Sequence, residues 1–348
     1  ISVVDPESPS EQALREAQAR LEDVCHLLHC IESIRRRSGL DPEPSRRVEF
    51  GDCRAAVAPM PRIGVTIEPM LSKPQFETMV HRAKAFIAAG DIFQANLAQA
   101  FRASWSGSPW TLYGALRGVN PSPFACFIQC AEFAIVSCSP ERLVRVRGEE
   151  IETRPIAGTR PRGATPQEDL LNSVELLLSD KERAEHIMLV DLERNDLGRV
   201  CRHGSVQVEE LMTIEDYSHV MHIVSNVRGR VRQGVDLVDV IRAVFPGGTV
   251  TGCPKVRCME IIRELEPIAR GFYTGSCGYL GFDGSMDLNI LIRTLILRNG
   301  EAFFHVGAGI VADSQPDREY HETLAKAAAL MSALRTASVG MANGITIT

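Results

Sequence analysis

The sequence lacks any run of about eighteen apolar residues and any leader-like start, so neither a membrane span nor export is expected, and the reading is cytoplasmic. It also lacks basic excess. A formal net charge of -6 argues against a general nucleic-acid binder, which needs a basic face to neutralise phosphates. The one tight arginine run, Arg35 to Arg37, reads as a solvated helix end. The ten cysteines contain no CxxC pair, which excludes a zinc site or disulfide frame of ordinary spacing and suits free thiols in a reducing compartment.

The common cofactor and nucleophile motifs are missing too. In "FPGGTVTGCPK" the lysine of a phosphate loop counted from Gly247 would fall at Cys253. Pro254 removes a cradling N–H, and no Ser or Thr follows Lys255 to hold a metal. "GAGIVA" opens no helix, so it is no dinucleotide fingerprint. There is no GxSxG elbow, and Cys277 reads as a strand residue, so hydrolase or amidase chemistry is not expected.

What is present is a 348-residue chain, 45% hydrophobic and 24% charged, enough for one large or two ordinary domains. Leu14, Ala17, Leu21, Val24, Leu28 and Ile31 recur at helical spacing, and residues 38 to 72 read as a Pro-rich connector. "SKPQ" at 72 to 75 predicts an N-cap and a helix running to Gly90. "EFAIVSCS", "RLVRVRG" and "EEIETRP" predict short strands. "GSCGYLGF-DGS-MDLNILIRTLILR-NG-EAFFHVGAG" predicts three more, joined by Asp-Gly and Asn-Gly hairpins. Sequential hairpins imply antiparallel sheet, hence α+β. His219 and His222 lie three apart in a strand-like run and so point to opposite faces, which excludes a metal pair.

Two helices carry acids. "SDKERAEHIMLVDLERNDLGR" begins with a Ser179/Glu182 capping spacing, stops at Gly198 and holds Glu185 in an apolar stretch. "PDREYHETLAKAAALMSALR" places Glu319, Glu322 and Lys326 on one side. By spacing alone, Glu322 and Lys326 form a surface i,i+4 pair. Helical glutamates, glycine-rich strand ends and sheet arginines together suggest an enzyme that binds a small polycarboxylate through magnesium, an oxygen-seeking cation.

From about residue 73 to 335 the chain resembles the chorismate-utilising family. The motifs are "GDIFQANLAQAF", "SPERL", "ETRPIAGTRPRG", "KERAEHIMLVDLERNDLGR", "HVMHIVSNV", "FPGGTVTGCPKVRCMEII", "GYLGFDGSMDLNILIRT" and "GAGIVADSQPDREYHETLAKA", in this order. That family comprises the large subunits of anthranilate and aminodeoxychorismate synthases and their isochorismate and salicylate relatives. The resemblance implies a four-layer α-β-β-α sandwich with a cleft between its sheets. It divides the chain into a short N-terminal remnant (1–72), a chorismate-binding catalytic domain (73–337) and a tail (338–348).

It further implies that Glu185 and Glu322 bind Mg2+, which grips the ring carboxylate. Tyr279 and Arg293, on neighbouring strands, would hold the enolpyruvyl carboxylate, with backbone N–H groups at Gly307 and Gly309 and with Lys326 as a second anchor. Glu141 would be the general acid, His222 would lie beside the departing hydroxyl, and Thr251 would contact the substrate. Gln94 stands where the water-adding relatives look to have a lysine base, which implies ammonia as nucleophile. A separate glutamine amidotransferase subunit would supply it.

Ala157 in "PIAGT" resembles the anthranilate synthases, whereas aminodeoxychorismate synthases commonly have a lysine there that attacks the ring. "QANLAQ", "SPERL" and "ETRPI" resemble the aminodeoxychorismate group, and "YSHVMHIVSNV" the anthranilate group. The balance favours aminodeoxychorismate synthase, with anthranilate synthase as the first alternative. A silent anion-binding regulatory subunit is the alternative from another class. The joint presence of Glu141, Glu185, Glu322 and Gln94 speaks against it.

Overall fold

The computed structural model describes residues 65–342 apart from 164 and 217–219. The helix expected around Leu14 to Ile31, most of the connector, and His219 lie outside the described residues. In chain order the elements are β1 (Ile67–Pro69), α1 (Lys73–Ala88), β2 (Gln94–Ser104), α2 (Pro109–Val119), β3 (Phe124–Gln129), β4 (Ala134–Ser139), β5 (Arg142–Arg147), β6 (Glu150–Thr153) and β7 (Ile156–Pro161). There follow α3 (Pro166–Leu178), α4 (Asp180–Gly198), β8 (Gln207–Asp216), β9 (Val220–Arg230), α5 (Leu237–Val244), β10 (Gly252–Cys253) and α6 (Lys255–Leu265). The chain closes with β11 (Gly278–Leu280), β12 (Met286–Asn289), β13 (Thr294–Arg298), β14 (Glu301–Ile310) and α7 (Pro316–Ala342).

Helix starts follow local chemistry. Ser72 and Gln75 form a reciprocal capping box, with the Ser72 N–H donating to Gln75 Oε1 at 2.8 Å, and Pro74 sits where its missing N–H is not needed. Ser179 accepts from the Glu182 N–H at 3.4 Å and opens α4, while Asp236 and Asp239 cap α5.

The strands form two sheets. One runs β1-β2-β14-β13-β4-β3 with β10 on β2; the other runs β11-β12-β5-β6-β9-β7 with β8 on β9. All registers are antiparallel. The first sheet buries Phe101, Val136, Leu295 and Phe304 against Leu112 and Leu116 of α2 and Leu330 and Leu334 of α7. Its β2–β14 end packs Leu97, Ala308 and Ile310 on Phe76 and Val80 of α1 and Ile261 of α6. The second sheet buries Val146, Ile151, Val227 and Met286 against α4 and α5, and α3 adds Leu176 over Met221 and Ile223. Each sheet thus carries helices on one face. The opposite faces meet around Glu141, His222 and Arg293, giving the expected four-layer α-β-β-α sandwich of α+β class.

One segment departs from expectation. "MDLNILIRTLILR" is not one strand but two, β12 in the second sheet and β13 in the first. The chain leaves one sheet for the other across residues 290–293, and Arg293 adopts φ 49°, a left-handed value that only a few per cent of non-glycine residues take. Hydrophobic alternation continued straight through this crossing because both halves face cores. Cys277 precedes β11 rather than lying in it.

The stacked Phe101 and Phe304 rings, 5.1 Å apart and both 1% exposed, join β2 and β14. Phe304→Ala should lower unfolding stability by about 3–5 kcal/mol through the cavity it leaves. Urea denaturation followed by tryptophan fluorescence measures this.

Candidate active site

Two chain crossings place the central acid. Ser139 ends β4, and its hydroxyl donates to the Ile290 carbonyl at 2.5 Å. The Ile290 N–H in turn donates to the Glu141 carbonyl at 3.0 Å. Glu141 is therefore held between the sheets at 6% exposure. Burial pushes its carboxyl up to about 7, while the Thr249 hydroxyl, Arg293 and Lys326 pull the other way. The ion pair with a neighbouring arginine that spacing alone allows does not form. Arg142 pairs instead with Glu152 and Asp287, each at 2.9 Å, and Arg145 with Glu152 at 2.7 Å.

On the first sheet, β14 presents Gly307 and Gly309. A Cβ at Gly307 would lie 2.5 Å from Asn96 Oδ1 and 2.8 Å from the Tyr273 hydroxyl; at Gly309 it would lie 2.4 Å from Gln94 Nε2. Glycine here leaves room for these side-chain ends to close on the strand. Gly307 is opposite Ala98, whose N–H donates to Glu266 at 2.8 Å, and Gly309 is opposite Asn96, whose N–H donates to the Thr251 carbonyl at 2.8 Å. Neither pair uses the β2 ladder, so by antiparallel alternation both glycine N–H groups turn toward the edge that β13 leaves open beyond Phe304. Lys326 approaches this edge, donating to the Gly307 carbonyl at 3.0 Å and to Glu322 at 2.8 Å. Thr251 is 3% exposed, and its hydroxyl closes the turn by donating to the Gly247 carbonyl at 2.8 Å.

Tyr279 is not brought to this group. It is 55% exposed on β11 of the second sheet, whereas Arg293 precedes β13 of the first, so the two are not on neighbouring strands. Tyr273 stands beside Gly307 instead, 8% exposed and stacked on His305 at 5.4 Å. Arg270 backs it, its guanidinium 5.6 Å from the ring, while donating to the carbonyls of Val250 at 2.8 Å and Asn96 at 2.6 Å. Tyr273 lies outside any strand, and no periodicity marked it.

The second sheet contributes His222 on β9, 4% exposed. A bulge in β7 between Ala157 and Thr159 turns out the Gly158 carbonyl, which lies 3.1 Å from His222 Nδ1. Burial, with Arg293 and Lys326 nearby, depresses the imidazole to about 4, so it is neutral at pH 7 and its Nδ1–H donates to Gly158. Ala157 pairs with Ile223, one residue from both partners of this bond. The motif's arginines anchor the strand rather than face an anion. Arg154 pairs with Glu210 and Glu215, Arg160 with Glu175 and Glu182, and Arg162 with Asp169.

The acids read as magnesium ligands differ in setting. Glu185 on α4 has one carboxyl oxygen shut from solvent, next to the fully buried His186, whose Nε2 meets the Ser225 hydroxyl at 2.5 Å. Glu322 is half exposed and forms the i,i+4 pair with Lys326 that spacing predicts. Among the described residues no group of three or more His, Cys, Asp or Glu is set for a metal. Two single carboxylates suit a cation such as magnesium that keeps waters and shares an anionic ligand. Glu319, placed with Glu322 on one side by pattern, is 4% exposed and turns inward.

A second buried acid escaped sequence reasoning. Glu193 on α4 is 4% exposed, with Oε1 3.3 Å from where a Cβ on Gly248 would stand. Burial first, then the neighbouring Asp196 and Glu141, raise it to about 8 against the pull of Lys255 and the Thr153 hydroxyl. It lies in "DLERND", which reads as an ordinary charged helix end. Because the folded-state value exceeds the unfolded one, its contribution is intact below about pH 4.5 and is lost as pH rises through 8. Glu193→Gln should therefore gain stability over the parent between pH 5 and 9, on the order of a few kcal/mol, and none at pH 4. Thermal melts across that range measure it.

Residues 42–332 match the family model described as chorismate binding enzyme. The chain is 56% identical over 262 residues to an anthranilate synthase component I-like protein of Synechocystis sp., covering 75% of this chain and 54% of that protein. It is 55% identical over 259 residues to aminodeoxychorismate synthase component 1 of Bacillus subtilis, covering 74% and 55%. The crystal structure of anthranilate synthase component I from Streptococcus pneumoniae superposes with a TM-score of 0.75 at 38% identity, covering 94% of this chain and 67% of that one. The chain spans about half the length of the curated relatives it matches. With a buried acid, a neutral imidazole and a glycine-bared strand meeting between its sheets, the chain belongs to the family of chorismate binding enzymes.

Proposed function

We propose that this chain carries out the Mg2+-dependent amination of chorismate with ammonia from a partner glutamine amidotransferase, forming 4-amino-4-deoxychorismate. The observation that supports it most is the buried Glu141. A binding module has no use for an acid held near pH 7, whereas expulsion of a ring hydroxyl needs one proton at that moment.

Arg293 and Lys326 attract the substrate's carboxylates, and the outward N–H groups of Gly307 and Gly309 offer further donors. Tyr273 adds a hydroxyl beside Gly307. Magnesium would be held by Glu185 and Glu322, and when bound it neutralises and fixes the ring carboxylate. Glu141 protonates the departing C4 hydroxyl, which leaves as water. His222, neutral and oriented by Gly158, would stand beside that hydroxyl. Gln94 is neutral and cannot deprotonate water, so the nucleophile is one that arrives already basic. With alanine at 157 there is no amine to form an adduct. Ammonia therefore enters at C2 as the C4 hydroxyl leaves as water, and a second ammonia then attacks C4 as the first departs from C2.

Ala157 also supports a second reading, anthranilate synthase, in which pyruvate is eliminated after amination at C2. Relatives of both names lie at similar identity. Incubating the chain with chorismate, Mg2+ and ammonium and separating the products decides between them. A product that becomes 4-aminobenzoate only after a lyase is added is expected; anthranilate with released pyruvate would establish the second reading, and no amine product would refute both.

Glu141→Gln should reduce kcat at least about 100-fold. The parent's kcat should fall above about pH 7 as Glu141 ionises, with this limb absent from the residual activity of the variant. Glu185→Gln should abolish turnover and weaken Mg2+ binding in titration calorimetry with chorismate present. Unchanged binding would remove it from the metal site.

A further inference from the structure

Two amide oxygens on β2, Gln94 Oε1 and Asn96 Oδ1, are buried without a hydrogen-bond partner. They belong to residues two apart on one strand, so both side chains project from one face, with their stems about 6.5–7 Å apart. That face is the one bearing Gly307 and Gly309, since Ala95 and Leu97 between and beyond them pack into the helix-side core. The glycines leave the space in which these amides stand, Gln94 Nε2 at 2.4 Å and Asn96 Oδ1 at 2.5 Å from the two missing methyl positions.

A buried carbonyl oxygen without a donor is retained only where something else supplies one. The nearby cations are engaged elsewhere: Lys326 with Glu322 and the Gly307 carbonyl, Arg270 with Glu266 and two backbone carbonyls, Arg293 with Asn120. The complement must be small, neutral and rich in N–H or O–H. A carboxylate offers acceptors alone and would be repelled. Ammonia has three N–H donors and a single lone pair, so two acceptors hold it by two N–H bonds and leave the lone pair to attack. Amide oxygens rather than carboxylates matter here, because a carboxylate would favour ammonium, which has no lone pair.

We propose that Asn96 acts with Gln94 as the seat that binds and orients the ammonia nucleophile. This rests on the amination reading above and adds to it a second specificity-determining residue, Asn96.

The test uses the full chain with ammonium chloride as amine source and no glutaminase, varying ammonium and chorismate separately. Asn96→Leu, near in volume but without an acceptor, should raise KM for ammonia about tenfold while KM for chorismate stays within about twofold, the loss of one hydrogen bond. Asn96→Asp should lower kcat about tenfold or more even at saturating ammonium, because it holds the protonated form. Thermal melts check that both fold, and Asn96→Ala serves the same comparison should leucine not be accommodated. An unchanged KM for ammonia would mean that water alone fills the seat, and equal rises in both KM values would make Asn96 merely structural; either result overturns the proposal while leaving amination intact. A parent chain that turns over chorismate with no amine incorporation would sink the amination reading and the seat together.

Discussion

The site depends on a carboxyl buried where two sheets exchange their chains. Glu141 sits at the step from β4 to β5, and the return step from β12 to β13 passes beside it, tied by the Ser139–Ile290 and Ile290–Glu141 hydrogen bonds. Backbone bonds fix its position, and burial sets its proton affinity. Neither could be adjusted without moving a sheet. That coupling gives an acid near neutrality a rigid mount, since desolvation that raises a carboxyl survives only where the surroundings cannot relax to readmit water.

Around it the charges are unevenly assigned. The arginines that stand out most in the sequence, at 142, 145, 154, 160 and 162, pair with Glu or Asp side chains and hold strands together. Arg293 and Lys326 are the cations near enough to Glu141 and His222 to pull on both. Arg293 stands there on a left-handed backbone, a conformation of the sparsely populated kind that structures tolerate where placement of a side chain matters.

The opposite wall is built by omission. β14 drops its side chains at 307 and 309, where the amides of Gln94 and Asn96 close in, and among the described residues its pairing with β13 ends at Phe304. Arg270 and Glu266 hold this wall from behind, joining β2, the 248–251 turn and Tyr273 in one network at 14% and 5% side-chain exposure. Such stiffness matters for any ligand placed against this wall, because an anchor that yields does not orient what it holds.

Much of the fold was legible because local chemistry and pattern agree. The Ser72–Gln75 capping box, the Asp-Gly and Asn-Gly turns and the alternation of β4 to β6 each specify their element without help. The i,i+4 pair of Glu322 and Lys326 was equally local, and Glu141, His222, Gln94, Gly307 and Gly309 could be named from short motifs. Other features needed tertiary structure. The split of "MDLNILIRTLILR" between sheets leaves no trace in hydrophobicity, because each half buries a face. Tyr273 rather than Tyr279 reaches the glycine strand because a turn, not a strand register, delivers it. Glu193 and Glu319 look like surface acids on their helices and are buried by what packs over them. Sequence determines which residues can make a bond to a near neighbour. Which distant groups come to share one dry space, and so which acids keep their protons, is decided only when the sheets close on each other.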